Sequence, residues 1–296
     1  SIEAVDKEAD VAAGSDTAGM EIIQWDSLAM ADSMELTAAS QFSVDYYEGG
    51  YKRIHIESDQ DFLLVPDGMP VPEGLGDGIV VLQQPLDQIY LVGTAAMDYF
   101  IRLGAIDHIT LSSQKENGWY LEEAKEALAS GQMLYAGKYS APDYELILSA
   151  GCDLAIENTM IYHTPEVLEQ LERLGIPALV EKSSYETNPL GRMEWLKLYA
   201  ALVDREEEAE AFFSGIMEEL QQVIDQDPSG KTVAFFSINS NGAITVRKSG
   251  DYIAKAIELA GGEYLSFDET EEENALSTMR VQMETFYADA LDADIL

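Results

Sequence analysis

A two-lobed α/β protein, its halves joined by one long helix, is the fold that this chain predicts. Three observations carry the expectation. Short apolar strands alternate with helical stretches of roughly ten to fifteen residues from about residue 85 to 191, and the same alternation resumes after Asp227-Pro228-Ser229-Gly230. Between the two, from Met193 to Ile224, apolar residues recur every three to four positions. Strands separated by helices of that length form mostly parallel sheets, and ligands bind outside the carboxyl ends of such strands.

Composition bounds the rest. At 296 residues the chain is too long for one simple core, and 47% hydrophobic residues are enough to fold it. The formal charge of -38, from 55 acidic against 17 basic residues, argues against a nucleic-acid partner because such a surface repels phosphate. The apolar runs are short and interrupted by charge, unlike a membrane span. Cys152 is the single cysteine, which leaves no internal disulfide framework, and its place before an apolar strand marks it as core.

In order, residues 1–20 are acidic, rich in Ala, Gly and Ser and free of aromatics, so they read as a flexible tether. Residues 21–191 form the first lobe. "QFSVDYYEGGYKRIHIE" alternates apolar and polar residues around Glu48-Gly49-Gly50, a hairpin, and "DFLLVPDG" adds a strand ending at Pro66. "VPEGLGDGIVVLQQPLDQ" reads as a Gly/Pro-rich connector. "QIYLVG" is then a strand, "TAAMDYFIRLG" a helix closed by Gly104, "IDHITLSS" a strand and "GWYLEEAKEALASG" a helix closed by Gly131. "APDYELILSAG" is helical, "CDLAIE" a strand, "TPEVLEQLERLG" a helix capped by Thr164, and "IPALVEKSS" a strand.

Residues 192–226 are the expected spine, a rod of about 45 Å at 1.5 Å per residue. The alternative is a break near Val203-Asp204-Arg205 with Asp204 as an N-cap. Residues 227–296 make the second lobe: strands "KTVAFFSIN" and "GAITVRK", helix "DYIAKAIELAGG", and "QMETFYADALDADIL" running helix into strand. These elements are too few to cover both faces of a sheet, so this lobe reads as incomplete and the chain as a piece of a longer one.

The order of these elements resembles the substrate-binding proteins of ABC importers for iron-siderophore complexes, haem and vitamin B12. "PLDQIYLVGTAAMDYFIRLGAIDHI" is similar to that family's first strand and helix, and "PDYELILSAGCDLAIE" resembles its helix followed by a "PDLVI" strand. "LERLGIPALVEKSS" resembles its "L...GIPV" segment, "MEWLKLYAALVDREEEAEAFF" its spine, and "SGDYIAKAIELAGGEY" the opening of its second lobe. The resemblance implies two Rossmann-like α/β lobes, no catalysis and no resident cofactor. It implies a monomer outside the cytoplasm, lipid-anchored, that captures a metal chelate or corrinoid and delivers it to an ABC permease. The ligand would itself carry any iron, haem or cobalt. It also implies one docking glutamate per lobe, at positions matching Glu145 and Glu284.

Candidate ligand residues follow from the rule that loops after strands bind. In the first lobe these are Thr94, Met97, Trp119, Lys138, Tyr139, Met160 and His163, with Ser184, Tyr185 and Arg192 at the crossover in "SSYETNPLGRMEW"; in the second they are Asn239, Asn241 and Arg247. Arg192 offers a fork of donors for carboxylate or catecholate oxygens, or it caps a buried carbonyl. Lys138, Lys182, Arg192, Arg247, Lys248 and Arg280 all fall in or near these loops, a placement that suits an anionic ligand. His55, His108 and His163 are the only histidines and lie far apart, which does not fit a protein-bound metal centre. No nucleophile elbow, phosphate loop or dinucleotide glycine pattern occurs, so the competing reading of a glycan- or small-molecule-active surface enzyme lacks a chemical signature, while a ligand-sensing domain would differ by fusion to a signalling module.

Overall fold

The computed structural model describes residues 22–58, 60–267 and 278–296. The tether expected over residues 1–20 lies outside the described residues. The chain opens with a five-stranded sheet of β1 (Met30–Ser33), β2 (Phe42–Tyr47), β3 (Lys52–Ile56), β4 (Gln60–Val65) and β5 (Ile79–Gln83), in that spatial order. Its first four strands run antiparallel, and β5 joins β4 in parallel. The expected hairpin is β2–β3, whose turn needs the left-handed backbone of Gly49 and Gly50. The connector over residues 71–88 is corrected: it contains β5, because the run Ile79-Val80-Val81-Leu82 is apolar enough to pair with β4.

The first-lobe sheet follows. Its elements are β6 (Ile89–Leu91), α1 (Ala96–Arg102), β7 (Ile109–Ser112), α2 (Glu122–Ser130) and β8 (Leu134–Tyr135), then a small hairpin of β9 (Gly137–Lys138) and β10 (Ala141–Pro142). Next come α3 (Tyr144–Ser149), β11 (Leu154–Glu157), α4 (Pro165–Arg173) and β12 (Ala178–Val180). The sheet is parallel throughout, in the order β12-β11-β6-β7-β8. Its central strands are buried on both faces. Ile89, Leu91, Ile109, Leu154, Ile156 and Leu179 pack on one side with residues of α1 and α2, while Tyr90, Leu111, Ala155 and Val180 pack on the other with α3 and α4. Burying each such side chain contributes about 1.5–3 kcal/mol, so this double coverage dominates the lobe's stability. Asp143 caps α3 through Leu146 N at 3.0 Å, whereas Thr164 precedes α4 without a side-chain cap bond, and Pro165 at the first helical position opens that helix.

The single rod is also corrected. α5 (Pro189–Leu202) and α6 (Glu206–Ile224) are separate helices. Asp204, at φ 54°, turns the chain between them, held by Lys52 Nζ at 2.6 Å and Gln84 Nε2 at 2.9 Å. Lys52 also bonds Ala201 O at 2.9 Å and Glu206, so the leading sheet itself fixes the elbow. Lys197 Nζ on α5 meets Glu210 at 3.0 Å and lies 4.7 Å from the Phe213 ring, contacts about 20 Å apart in a straight helix. Asp204 is therefore a hinge residue held by the sheet, and not the side-chain cap of α6. The nineteen residues of α6, about 28 Å long, connect the two lobes.

The second lobe is mixed. β13 (Thr232–Val233), β14 (Phe236–Ile238), β15 (Ile244–Arg247), α7 (Tyr252–Leu259), β16 (Glu263–Tyr264), β17 (Thr278–Val281) and α8 (Met283–Ala290) make a parallel β13–β16 pair and an antiparallel β14-β15-β17 sheet. The expected strand "KTVAFFSIN" divides into β13 and β14, and the final residues add a bridge from Ile295 to Val233. Ala234, Ile244, Val246, Phe286 and Ala290 form its core. Among the described residues no helix is long and apolar enough to cross a membrane.

Candidate ligand cleft

The carboxyl ends of the parallel strands bring residues 93–97, 113–119, 157–163 and 181–186 to one surface. β7 lies on one side of β6 and β11 on the other, so the crossovers diverge at β6 and leave a crevice there. Gly93 forms part of its floor, where an added Cβ would lie 3.0 Å from Glu181 Cγ. Glu181 is buried and its Oε2 accepts from Ser183 N at 3.0 Å and Ser183 Oγ at 2.6 Å. Burial raises its pKa, and the Ser183 bonds with nearby Arg192 draw it partly back. Glu157, at the end of β11, is fully buried and neither of its carboxylate oxygens has a hydrogen-bond partner. Burial pushes its pKa up to about 8, so it is mostly neutral at pH 7.

The crossover loop is first an anchor. Two buried acids, Glu186 and Glu194, grip the successive backbone amides of residues 37–41. Glu194 accepts from Thr37 N at 2.6 Å and from Ala38 N and Ala39 N at 2.7 Å. Glu186 accepts from Ser40 N and Gln41 N at 3.0 Å and from Trp195 Nε1 at 3.1 Å. Gly191 is needed because a Cβ there would meet Ala38 O at 2.9 Å. Asn188 Oδ1 accepts from Leu190 N at 2.9 Å and starts α5 with Pro189 behind it.

Arg192 proves to be a carbonyl cap and a bridge. Its Nη2 donates to Ser184 O at 2.8 Å and its Nε to Glu186 O at 3.4 Å, while its guanidinium lies 3.6 Å from the centre of the Tyr252 ring. Since Ser184 and Glu186 follow β12, the second lobe abuts the carboxyl end of the first-lobe sheet. A groove of about 360 Å³ between Thr187-Asn188-Pro189 and Lys255, Glu258 and Leu259 marks the same seam.

Several sequence candidates reach this surface. Thr94, Lys138, Met160, His163 and Tyr185 are exposed, and Tyr139 and Ser184 are half-buried. Tyr135 at the end of β8 and Tyr162 beside Met160 are exposed with them. Others do not. Met97, in the first turn of α1, is fully enclosed in the core, and Trp119 is buried with its Nε1 donating to Ser112 Oγ at 3.2 Å, so neither is placed to meet a ligand. In the second lobe Arg247 lies near the seam, paired with Asp251 at 3.4 Å, next to Tyr252. Asn239 instead shapes the β14–β15 turn, its Oδ1 accepting from Asn241 N at 3.0 Å and Ala243 N at 2.9 Å; Asn239 and Asn241 lie at the far end of β15 from Arg247.

The positive patch expected from the sequence does not converge. Lys182 is buried, donating from Nζ to Glu57 O at 2.9 Å and lying under the Tyr162 and Tyr185 rings at 5.8 and 5.6 Å. Arg192 and Arg247 are engaged as described, and Arg280 sits exposed on β17 opposite Thr245. Sequence reasoning missed Glu157 and Glu181. The available signal was an acid closing each of two otherwise apolar strand segments, "LAIE" and "ALVE". Away from the cleft, Glu145 and Glu284 stand exposed in the first turns of α3 and α8.

Comparison with known proteins gives three kinds of finding. The model of a family described as periplasmic binding protein matches residues 89–293. An uncharacterized lipoprotein of Methanocaldococcus jannaschii is 27% identical over 258 residues, which covers 83% of this chain and 61% of that protein. The chain therefore spans about three fifths of that relative's length. The haem-binding protein HutB of Vibrio cholerae superimposes with a TM-score of 0.54 at 18% identity, over 68% of this chain and 72% of that one. The iron-uptake ABC transporter substrate-binding protein PiuA of Streptococcus pneumoniae gives 0.53 at 16% identity, over 69% of this chain and 68% of that one. At such identities the structural matches speak for the fold.

Proposed function

This chain belongs to the periplasmic binding protein family, and on that premise we propose that it captures a metal chelate, an iron-siderophore complex foremost, or a corrinoid, and hands it to an ABC permease. One observation carries the reading. The second lobe abuts the carboxyl end of the first-lobe sheet through Arg192 and Tyr252, on the surface where Tyr135, Met160, Tyr162 and Tyr185 stand exposed. Aromatic and thioether side chains bury much apolar ligand surface and still offer polar edges, as recognition of a chelate's organic shell requires. The haem and iron relatives support the class of cargo without choosing its member.

The working units are a first lobe through Val203 with its leading sheet, the connecting helix α6, and a second lobe from residue 227. Glu145 and Glu284 serve as the two permease contacts, each an exposed carboxylate in the first turn of a helix. The protein acts as a monomer outside the cytoplasm, held at the membrane by a lipid anchor. Incubation with a ferric siderophore, haem or cobalamin, followed by desalting, native mass spectrometry and visible absorbance, tests the reading. A one-to-one complex with one of the three is expected; loss of all three on desalting, with no mass increase, contradicts it.

A further inference from the structure

We propose that the cleft selects neutral or cationic metal chelates and discriminates against anionic ones, an inference that rests on the binding function above and names its substrate class.

Three of the cations that the sequence places around the mouth, Lys182, Arg192 and Arg247, are engaged by the protein itself. Lys182 Nζ is held by Glu57 O at 2.9 Å beneath two tyrosine rings, Arg192 is held by the carbonyls of Ser184 and Glu186, and Arg247 faces Asp251 at 3.4 Å. Arg192 cannot grip a carboxylate or catecholate without leaving those carbonyls and the Tyr252 face, 3.6 Å away. Lys115 and Lys138 are exposed at one flank, and Lys115 lies 5.2 Å from the centre of the Tyr135 ring.

Beyond those two flanking lysines, what the mouth offers is tyrosine and methionine surface. Met160 and Tyr162 are each 47% exposed, and Tyr135 and Tyr185 each 39%. The π faces of such rings attract positive charge. The protein as a whole carries a formal charge of -38. A field of that sign lowers the local concentration of anions and raises that of cations, most strongly at low ionic strength.

The test uses the purified chain with three ferric chelates: a monocationic linear trihydroxamate, its N-acylated neutral counterpart, and a trianionic tris-catecholate. Affinities are measured at low and at physiological salt. The cationic and neutral chelates are expected to bind about tenfold or more tighter than the trianion, with the cationic one weakening as salt rises. Met160→Lys, on an exposed side chain that leaves the core untouched, is expected to narrow that preference by raising affinity for the trianion and lowering it for the cation. Equal or tighter binding of the trianion, or a Met160→Lys preference unchanged from the parent, overturns charge selection and leaves the binding function standing. Failure of all three chelates, together with haem and cobalamin, overturns both.

Discussion

In the first lobe, Glu186, Glu194, Lys52 and Lys182 are buried, and each is anchored on backbone groups of a distant segment. The second lobe has a small core, and it leaves Phe235, Ile238, Tyr287 and Leu291 exposed. The contrast teaches where shape is fixed. Directional bonds to buried charges hold the leading sheet, the crossover loop and the elbow in one arrangement, so the cleft's first-lobe wall is preformed. The second lobe touches that wall through a few side chains, of which Arg192 and Tyr252 are the best defined.

The largest effect expected from breaking this contrast is at Glu194. Glu194→Ala leaves three backbone amides of residues 37–39 without their acceptor, and it should destabilise the first lobe by about 3–5 kcal/mol. Thermal melts followed by circular dichroism would show a fall of roughly ten degrees or more. A melt within two degrees or so of the parent would mean that the anchor is dispensable. Lys52→Met comes next, at about 2–3 kcal/mol, because it strips Ala201 O and the Asp204 hinge of their buried donor. It should also change the angle between lobes, read as altered scattering dimensions at a temperature where the variant remains folded.

Glu157 sharpens the comparison through pH. The folded chain holds its proton up to about 8, whereas the unfolded chain releases it near the ordinary glutamate value of 4.5. Stability from this group is therefore full below about 4.5 and falls as pH rises towards 8, by up to about 1.4 kcal/mol per unit. Glu157→Met removes the proton linkage, so its melting temperature should exceed the parent's at pH 8 by several degrees and converge with it near pH 4.5. Parallel pH profiles would count against a buried neutral carboxyl. The smallest effect is expected at Leu291, 67% exposed on the second lobe, where Leu291→Ser should stay within about 0.5 kcal/mol of the parent by the same melts.

The alternation of strands and helices was legible because the first-lobe strands are short apolar runs, and because Gly104, Gly131 and Gly175 close helices in left-handed conformations. The elbow was less legible: the apolar spacing continues through Val203, and only the tertiary contact of Lys52 and Gln84 with Asp204 turns the chain. β5 was hidden by its glycine- and proline-rich surroundings. At the cleft, exposed loop residues such as Thr94, Met160 and Tyr185 followed from the rule about strand ends, but burial could not be read from it. Met97, in the first turn of α1, and Trp119, in the loop after β7, are both buried in the core. The cations misled for a related reason: proximity in sequence to a loop says nothing about whether a carbonyl already occupies the donor.

The central claim, a chelate cleft at the carboxyl end of the first-lobe sheet closed by the second lobe, is tested most directly by hydrogen–deuterium exchange with and without a bound ferric chelate. Protection is expected in residues 93–97, 135–139, 158–163 and 182–186 of the first lobe, and in residues 251–255 of the second. Protection confined to the β14–β15 turn at Asn239, with none in those segments, would contradict it.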